Sequence, residues 1–156
     1  MQFGKAEKMV FGTSAGAYSK VTNREIKDSQ ITLADHEAAL VESHFSGKIH
    51  RGKVSKDPAA ASKRFRLHGT NQSVHLNLNY PKSKKNELRL YLSTQAGFKP
   101  NPNDIVFLYR KDGDISIGSL SREEWQTLSD KDSRVTAWLM MIKDKSVALS
   151  AGYADD

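Results

Sequence analysis

The sequence predicts a mainly β protein of the α+β class, a small mixed β-barrel carrying peripheral helices. Three observations carry this expectation. Apolar and polar residues alternate through Val74–Tyr80 and again through Leu88–Leu92, with a short polar connection between them. A second pair of apolar stretches, Ile105–Tyr109 and Ile115–Leu120, flanks Asp112-Gly113, a dipeptide suited to a hairpin turn. Helical spacing is sustained over a long stretch only once, between Leu33 and Phe45. The tally is six to eight short strands, one good helix and one or two lesser ones, which a barrel with helices at its margins accommodates.

At 156 residues the chain is of one-domain size. Residues 1–150 are expected to form the domain, and 151–156 a tail or the start of a linker. The composition, 38% hydrophobic and 27% charged, is that of an ordinary soluble globular protein. The longest apolar run, Ala137 to Ile142, is six residues, too short to span a membrane. The polar start Met1-Gln2-Phe3-Gly4-Lys5 does not resemble a secretory signal, so a cytoplasmic location is expected. The absence of cysteine excludes disulfides, thiolate metal sites and thiol nucleophiles.

In chain order, residues 2–11 read as a short strand, and Phe11–Lys20, with two glycines among small polar residues, as a loop. This loop lacks the Gly-Lys-Ser/Thr ending of a nucleotide-binding Walker loop. Thr32-Leu33-Ala34-Asp35 fits an N-terminal capping pattern with Asp in place of Glu, predicting a helix over 32–45 that ends near Gly47. The alternating stretches Val74–Tyr80 and Leu88–Leu92 predict a hairpin with a basic tip. Ile105–Tyr109, nearly continuously apolar, suits a strand covered on both faces, paired with Ile115–Leu120. Ser121-Arg122-Glu123-Glu124 is a capping box opening a short helix through Trp125 and Leu128. Residues 135–149 are apolar and compatible with helix or strand.

The net charge of +6 is unevenly distributed. Residues 46–92 hold eleven Lys/Arg against Asp57 and Glu87 alone, a local +9, whereas 1–45 carries −1 and 93–156 carries −2. A basic stretch between two slightly acidic ones points to a docking surface for a polyanion, nucleic acid first among them.

Catalytic patterns are scarce. The five histidines form no His-Glu-x-x-His motif, and His36 and His44, two helical turns apart, are too distant for one metal. No histidine is followed two residues later by lysine. Metal-dependent nucleases need a strand acid followed by acid-x-Lys on the next strand. The nearest fragments, Glu25-Ile26-Lys27 and Asp112-Gly113-Asp114, stand in the wrong order and context. No catalytic centre, metal or cofactor is therefore expected.

The informative segment is Lys82-Ser83-Lys84-Lys85-Asn86-Glu87-Leu88-Arg89-Leu90-Tyr91. Lysines suit phosphates, a role blind to sequence. Arginine can bridge guanine, Asn suits adenine, and Glu accepts from the cytosine amino group. A lone Glu among cations repels a phosphate backbone, but it makes sense as a base reader. The plainer reading makes Glu87 the ion-pair partner of Lys85 or Arg89.

This segment resembles the C-arm of the EcoRII-type restriction endonuclease N-terminal effector domain, where a Lys/Arg-rich turn leads into Asn-Glu-x-Arg. That family shares the DNA-binding pseudobarrel with the plant B-three domain. Phe98-Lys99-Pro100-Asn101-Pro102-Asn103-Asp104-Ile105-Val106-Phe107 also resembles the family's Pro-Gly-Asp turn before an apolar strand, with Asn103 replacing glycine. The resemblance implies a seven- to eight-stranded open barrel gripping duplex DNA in the major groove with two arms. By position, Lys85, Glu87 and Arg89 would read bases, with Lys82 and Lys84 on phosphates or bases. Asn86 and Tyr91 complete this C-arm, Asn86 shaping the turn or touching DNA. Leu88 stands where the family has a cation. The early loop offers no clear match, and Lys20, Asn23 and Arg24 are N-arm candidates on their chemistry. The resemblance further implies a bacterial type II restriction endonuclease whose nuclease domain lies outside this chain, and a G·C-containing target, CCWGG-like by analogy. Two alternatives stay open: a basic RNA-binding or ribonuclease-like barrel, and an interaction module for an acidic protein.

Overall fold

A computed structural model describes residues 1–53, 58–92 and 97–127. Leu128, the ambiguous stretch 135–149 and the expected tail 151–156 lie outside the described residues, as does the boundary between domain and tail.

Residues 2–11 are not a strand: only Gln2 forms a bridge, to Ala17, and Lys5–Phe11 is a helix, α1. The Gly4 N–H donates to Glu7 Oε1 at 2.8 Å, and Gly12 closes the helix in the left-handed conformation at φ 74°. Phe3 and Phe11, at either end, stack at 5.1 Å. The expected loop through Lys20 also ends early, because Gly16–Lys20 is a strand, β1. Gly16 is needed there for close approach: a Cβ on it would sit 2.3 Å from the Phe3 ring.

Asn23–Lys27 is a short helix, α2, opened by a Thr22–Glu25 capping box, and Gln30–Thr32 is strand β2. The expected 32–45 helix is observed as α3, Asp35–His44. It starts three residues late because Thr32 is held in β2, its N–H donating to Glu25 and its register partner being Arg89. Strand β3 (His50–Arg51), helix α4 (Pro58–Ala61) and strand β4 (Ser62–Leu67) follow. The expected hairpins are found as β5 (Ser73–Tyr80) with β6 (Arg89–Tyr91), and β7 (Ile105–Lys111) with β8 (Asp114–Leu120). Asp112 and Gly113 both take positive φ, as a tight hairpin turn requires. Helix α5, Arg122–Gln126, begins at the expected Ser121–Glu124 capping box.

The strands form one mixed sheet in the order β1-β7-β8-β4-β5-β6-β2, with β3 beside β5. The β4–β8 and β3–β5 pairs are parallel and the others antiparallel. The sheet curls into an open half-barrel. Its inner face buries Phe65, Val74, Leu76, Leu78, Leu90, Leu108 and Ile117 against Val41 of α3. As expected, β7 is covered on both faces. Its outward residues Phe107 and Tyr109 pack with Phe3, Phe11 and Trp125 in a second, aromatic layer. Gly118 lies opposite Phe107 in the β7–β8 register, where a Cβ would come within 2.6 Å of the ring.

Helix α3 is tied to the sheet by polar contacts too. The Tyr80 hydroxyl donates to Glu42 Oε1 at 2.6 Å, and the Arg51 guanidinium lies 4.3 Å from the Tyr80 ring centre. Burial, then the bond to and charge of Glu42, push the Tyr80 hydroxyl up to about 12, with Arg51 pulling the other way. Because the folded value is raised, its stabilising contribution is complete below the unfolded value of 10.0 and disappears as pH climbs through about 12. Tyr80→Phe is expected to cost about 1.5 kcal/mol at neutral pH, the worth of a hydrogen bond to a charged group. Its urea stability should also fall less than that of the wild type between pH 10 and about 12. Equal slopes in the two proteins would refute the coupling.

Candidate nucleic-acid interface

The basic turn is built between two strands of the core. Pro81, which has no N–H to continue a ladder, follows the end of β5. Two successive turns then reverse the chain: the Lys84 N–H donates to the Pro81 carbonyl at 3.1 Å, and the Glu87 N–H to the Lys84 carbonyl at 3.0 Å. Leu88 is the anchor of the turn. It is 1% exposed, and its carbonyl accepts from the Leu33 N–H. The turn therefore projects from a buried plug, with Lys82, Lys84, Lys85 and Asn86 exposed and Glu87, Arg89 and Tyr91 half-buried.

Glu87 and Arg89 are brought together: Arg89 Nη2 lies 3.2 Å from Glu87 Oε2, and Nη1 donates to Gln30 Oε1 at 3.4 Å. The plainer reading of Glu87 is thus present in the fold, with Arg89 as the partner. The same pair also holds the guanidinium in a fixed orientation at the base of the turn. Arg89 Nε is buried with no hydrogen-bond partner among the described residues.

The cations of the middle segment divide into two groups. Arg64 and Arg66 on β4 both reach Asp114, at 3.8 and 3.4 Å, so their charge is partly spent within the sheet. Lys63 lies over the Phe45 ring at 5.5 Å. By contrast, Lys82, Lys84 and Lys85 make no ion pair among the described residues. The turn thus carries three lysines whose charge is not spent on an ion pair, with Lys53 of the loop after β3 in the same condition.

The N-arm candidates sit on neighbouring elements. Lys20 ends β1, Asn23 opens α2, and Arg24 is exposed beside Asp28 at 3.6 Å. The Glu25 carboxylate, which sequence inspection weighed as a nuclease fragment, accepts from the Thr22 and Thr32 N–H groups and so fastens α2 to β2. Thr32 in turn is the register partner of Arg89. Asn23 and Arg24 are thereby connected to the root of the basic turn through a single short strand.

Sequence inspection missed Gln30, whose bond to Arg89 depends on a long-range strand pairing with no local signature. It also missed a cleft of about 610 Å³ beside the turn, to which Lys53, Asn79, Lys82 and Tyr91 contribute. The histidines do not converge, and no group of three His, Asp or Glu side chains able to hold a metal occurs among the described residues. Partial burial and then the nearby Arg110 push the His44 imidazole below the usual histidine value, with Asp114 opposing. No helix among the described residues is long and apolar enough to cross a membrane. Comparison with protein-family models, curated proteins and solved structures finds no match.

Proposed function

We propose that this chain is a sequence-specific double-stranded DNA-binding domain that reads the major groove with the turn 82–89. One observation carries the reading: three lysines with no ion-pair partner among the described residues crown a turn whose base is an ordered Glu87–Arg89 pair. The lysines supply affinity through phosphates, and the Glu87 carboxylate and the Arg89 N–H groups not spent on Glu87 and Gln30 offer an acceptor and donors to base edges. Asn103 adds support, since it takes φ 70° in the turn before β7, the conformation glycine would favour there. The open curled sheet agrees with the pseudobarrel that the basic segment resembles. In this reading Lys20, Asn23 and Arg24 form a second contact strip, and the domain has no catalytic centre of its own. It is the effector or specificity module of a restriction endonuclease whose nuclease domain lies elsewhere.

Lys84→Ala tests the phosphate role. Affinity for cognate and random duplexes should fall alike, and the slope of log affinity against log salt should flatten by about 0.9, one phosphate contact. A change confined to one sequence would contradict that role. Single-stranded RNA should compete poorly with duplex DNA. The reverse order would favour an RNA-binding barrel.

A further inference from the structure

The cleft beside the basic turn has chemistry that phosphate contact alone does not use. The loop after β3 contributes Gly52 and Lys53, the turn contributes Lys82 and Ser83, and the sheet contributes Asn79 and Tyr91. Its volume, about 610 Å³, falls in the range of roughly 300–1,000 Å³ typical of small-molecule sites. Asn79 is 2% exposed, and its Oδ1 has no hydrogen-bond partner among the described residues. A buried amide oxygen left without a donor is unfavourable, and a donor entering the cleft beside Asn79 would satisfy it. Asn79 and Tyr91 are close on one face of the sheet, because Asn77 pairs with Tyr91 and Asn79 with Arg89. Lys53 and Lys82 are exposed and have no ion pair among the described residues.

An aromatic ring, an unspent buried amide and two ammonium groups complement a planar base with its hydrogen-bonding edge and a phosphate. We infer that this cleft holds a single nucleotide, the base against Tyr91 with its edge towards Asn79, and the phosphate between Lys53 and Lys82. The nucleotide is either free or swung out of a DNA strand, and only the second source rests on the turn's reading as a duplex contact.

The test titrates the full chain, at low salt, with deoxyadenosine monophosphate, deoxyadenosine, deoxyribose 5-phosphate and inorganic phosphate. The intact nucleotide should bind at least tenfold more tightly than any of its parts. Lys53→Glu, at an exposed position, should weaken it at least tenfold. Asn79→Leu should do the same in protein shown to be folded by its thermal melt. Duplexes carrying 2-aminopurine at successive positions identify the source. A fluorescence rise at one position that Asn79→Leu abolishes assigns the cleft to an extruded nucleotide, and no rise with the mononucleotide still bound assigns it to the free one. Binding of the mononucleotide no tighter than inorganic phosphate overturns the inference, even if duplex binding persists. Mononucleotide binding without duplex binding would instead leave the cleft standing and refute the proposed DNA recognition.

Discussion

Glu87→Ala is expected to relax discrimination at one G·C pair, costing about 1–3 kcal/mol on the preferred duplex while random duplexes bind as well or better. The asymmetry follows from charge. Removing an acid from a cationic turn strengthens attraction to every phosphate, so a loss confined to one sequence must come from a base contact. The fold should hardly notice. Glu87 is half-buried and paired to Arg89 at 3.2 Å, an ion pair open to solvent of a kind worth under about 1 kcal/mol. Affinity measured over a set of single-pair substitutions decides the matter. An unchanged preference would reduce Glu87 to a holder of the Arg89 guanidinium.

Phe107→Ala is expected to lose about 3–5 kcal/mol of stability, the usual penalty for deleting a fully buried aromatic ring. Phe107 is 0% exposed, and its ring centre lies 5.0 Å from that of Phe11, 5.1 Å from His68 and 5.4 Å from Trp125. It is the middle of the aromatic layer that fastens α1 and α5 onto the outside of β7. Folded domains are stable by only about 5–15 kcal/mol, so the loss is a large share of the total and should shift the unfolding midpoint clearly. Urea unfolding measures the loss, and a cost below about 1 kcal/mol would show that the outer layer is not packed as described.

Both hairpins were legible because their signals are local. Alternation in Val74–Tyr80 and the Asp112-Gly113 turn state the pairing within a few residues. The Ser121 capping box was equally direct. Other elements depend on distant partners. Strand β4 shows only Phe65 and Leu67 among cations, and it is completed by parallel pairing of Arg66 and Leu67 with Ser116 and Ile117 far downstream. Strand β1 was obscured because Gly16 suggested a loop, whereas its glycine makes room for the Phe3 ring. The start of α3 was misplaced because Thr32, which looked like its cap, is held in β2 by Glu25 and by pairing with Arg89, and α3 instead begins after Ala34 with no side-chain cap. At the candidate interface, the lysines of the turn were visible from charge counting. The diversion of Arg64 and Arg66 to Asp114, the Gln30–Arg89 bond and the Asn79 cleft were not, since each joins segments remote in sequence.

Selection of bound duplexes from a random DNA pool, followed by sequencing, tests the central claim most directly. The account predicts enrichment of a short motif containing G·C pairs, weakened in pools selected by Glu87→Ala. Retention of duplexes at low salt with no motif enriched, or no retention at all, would contradict it.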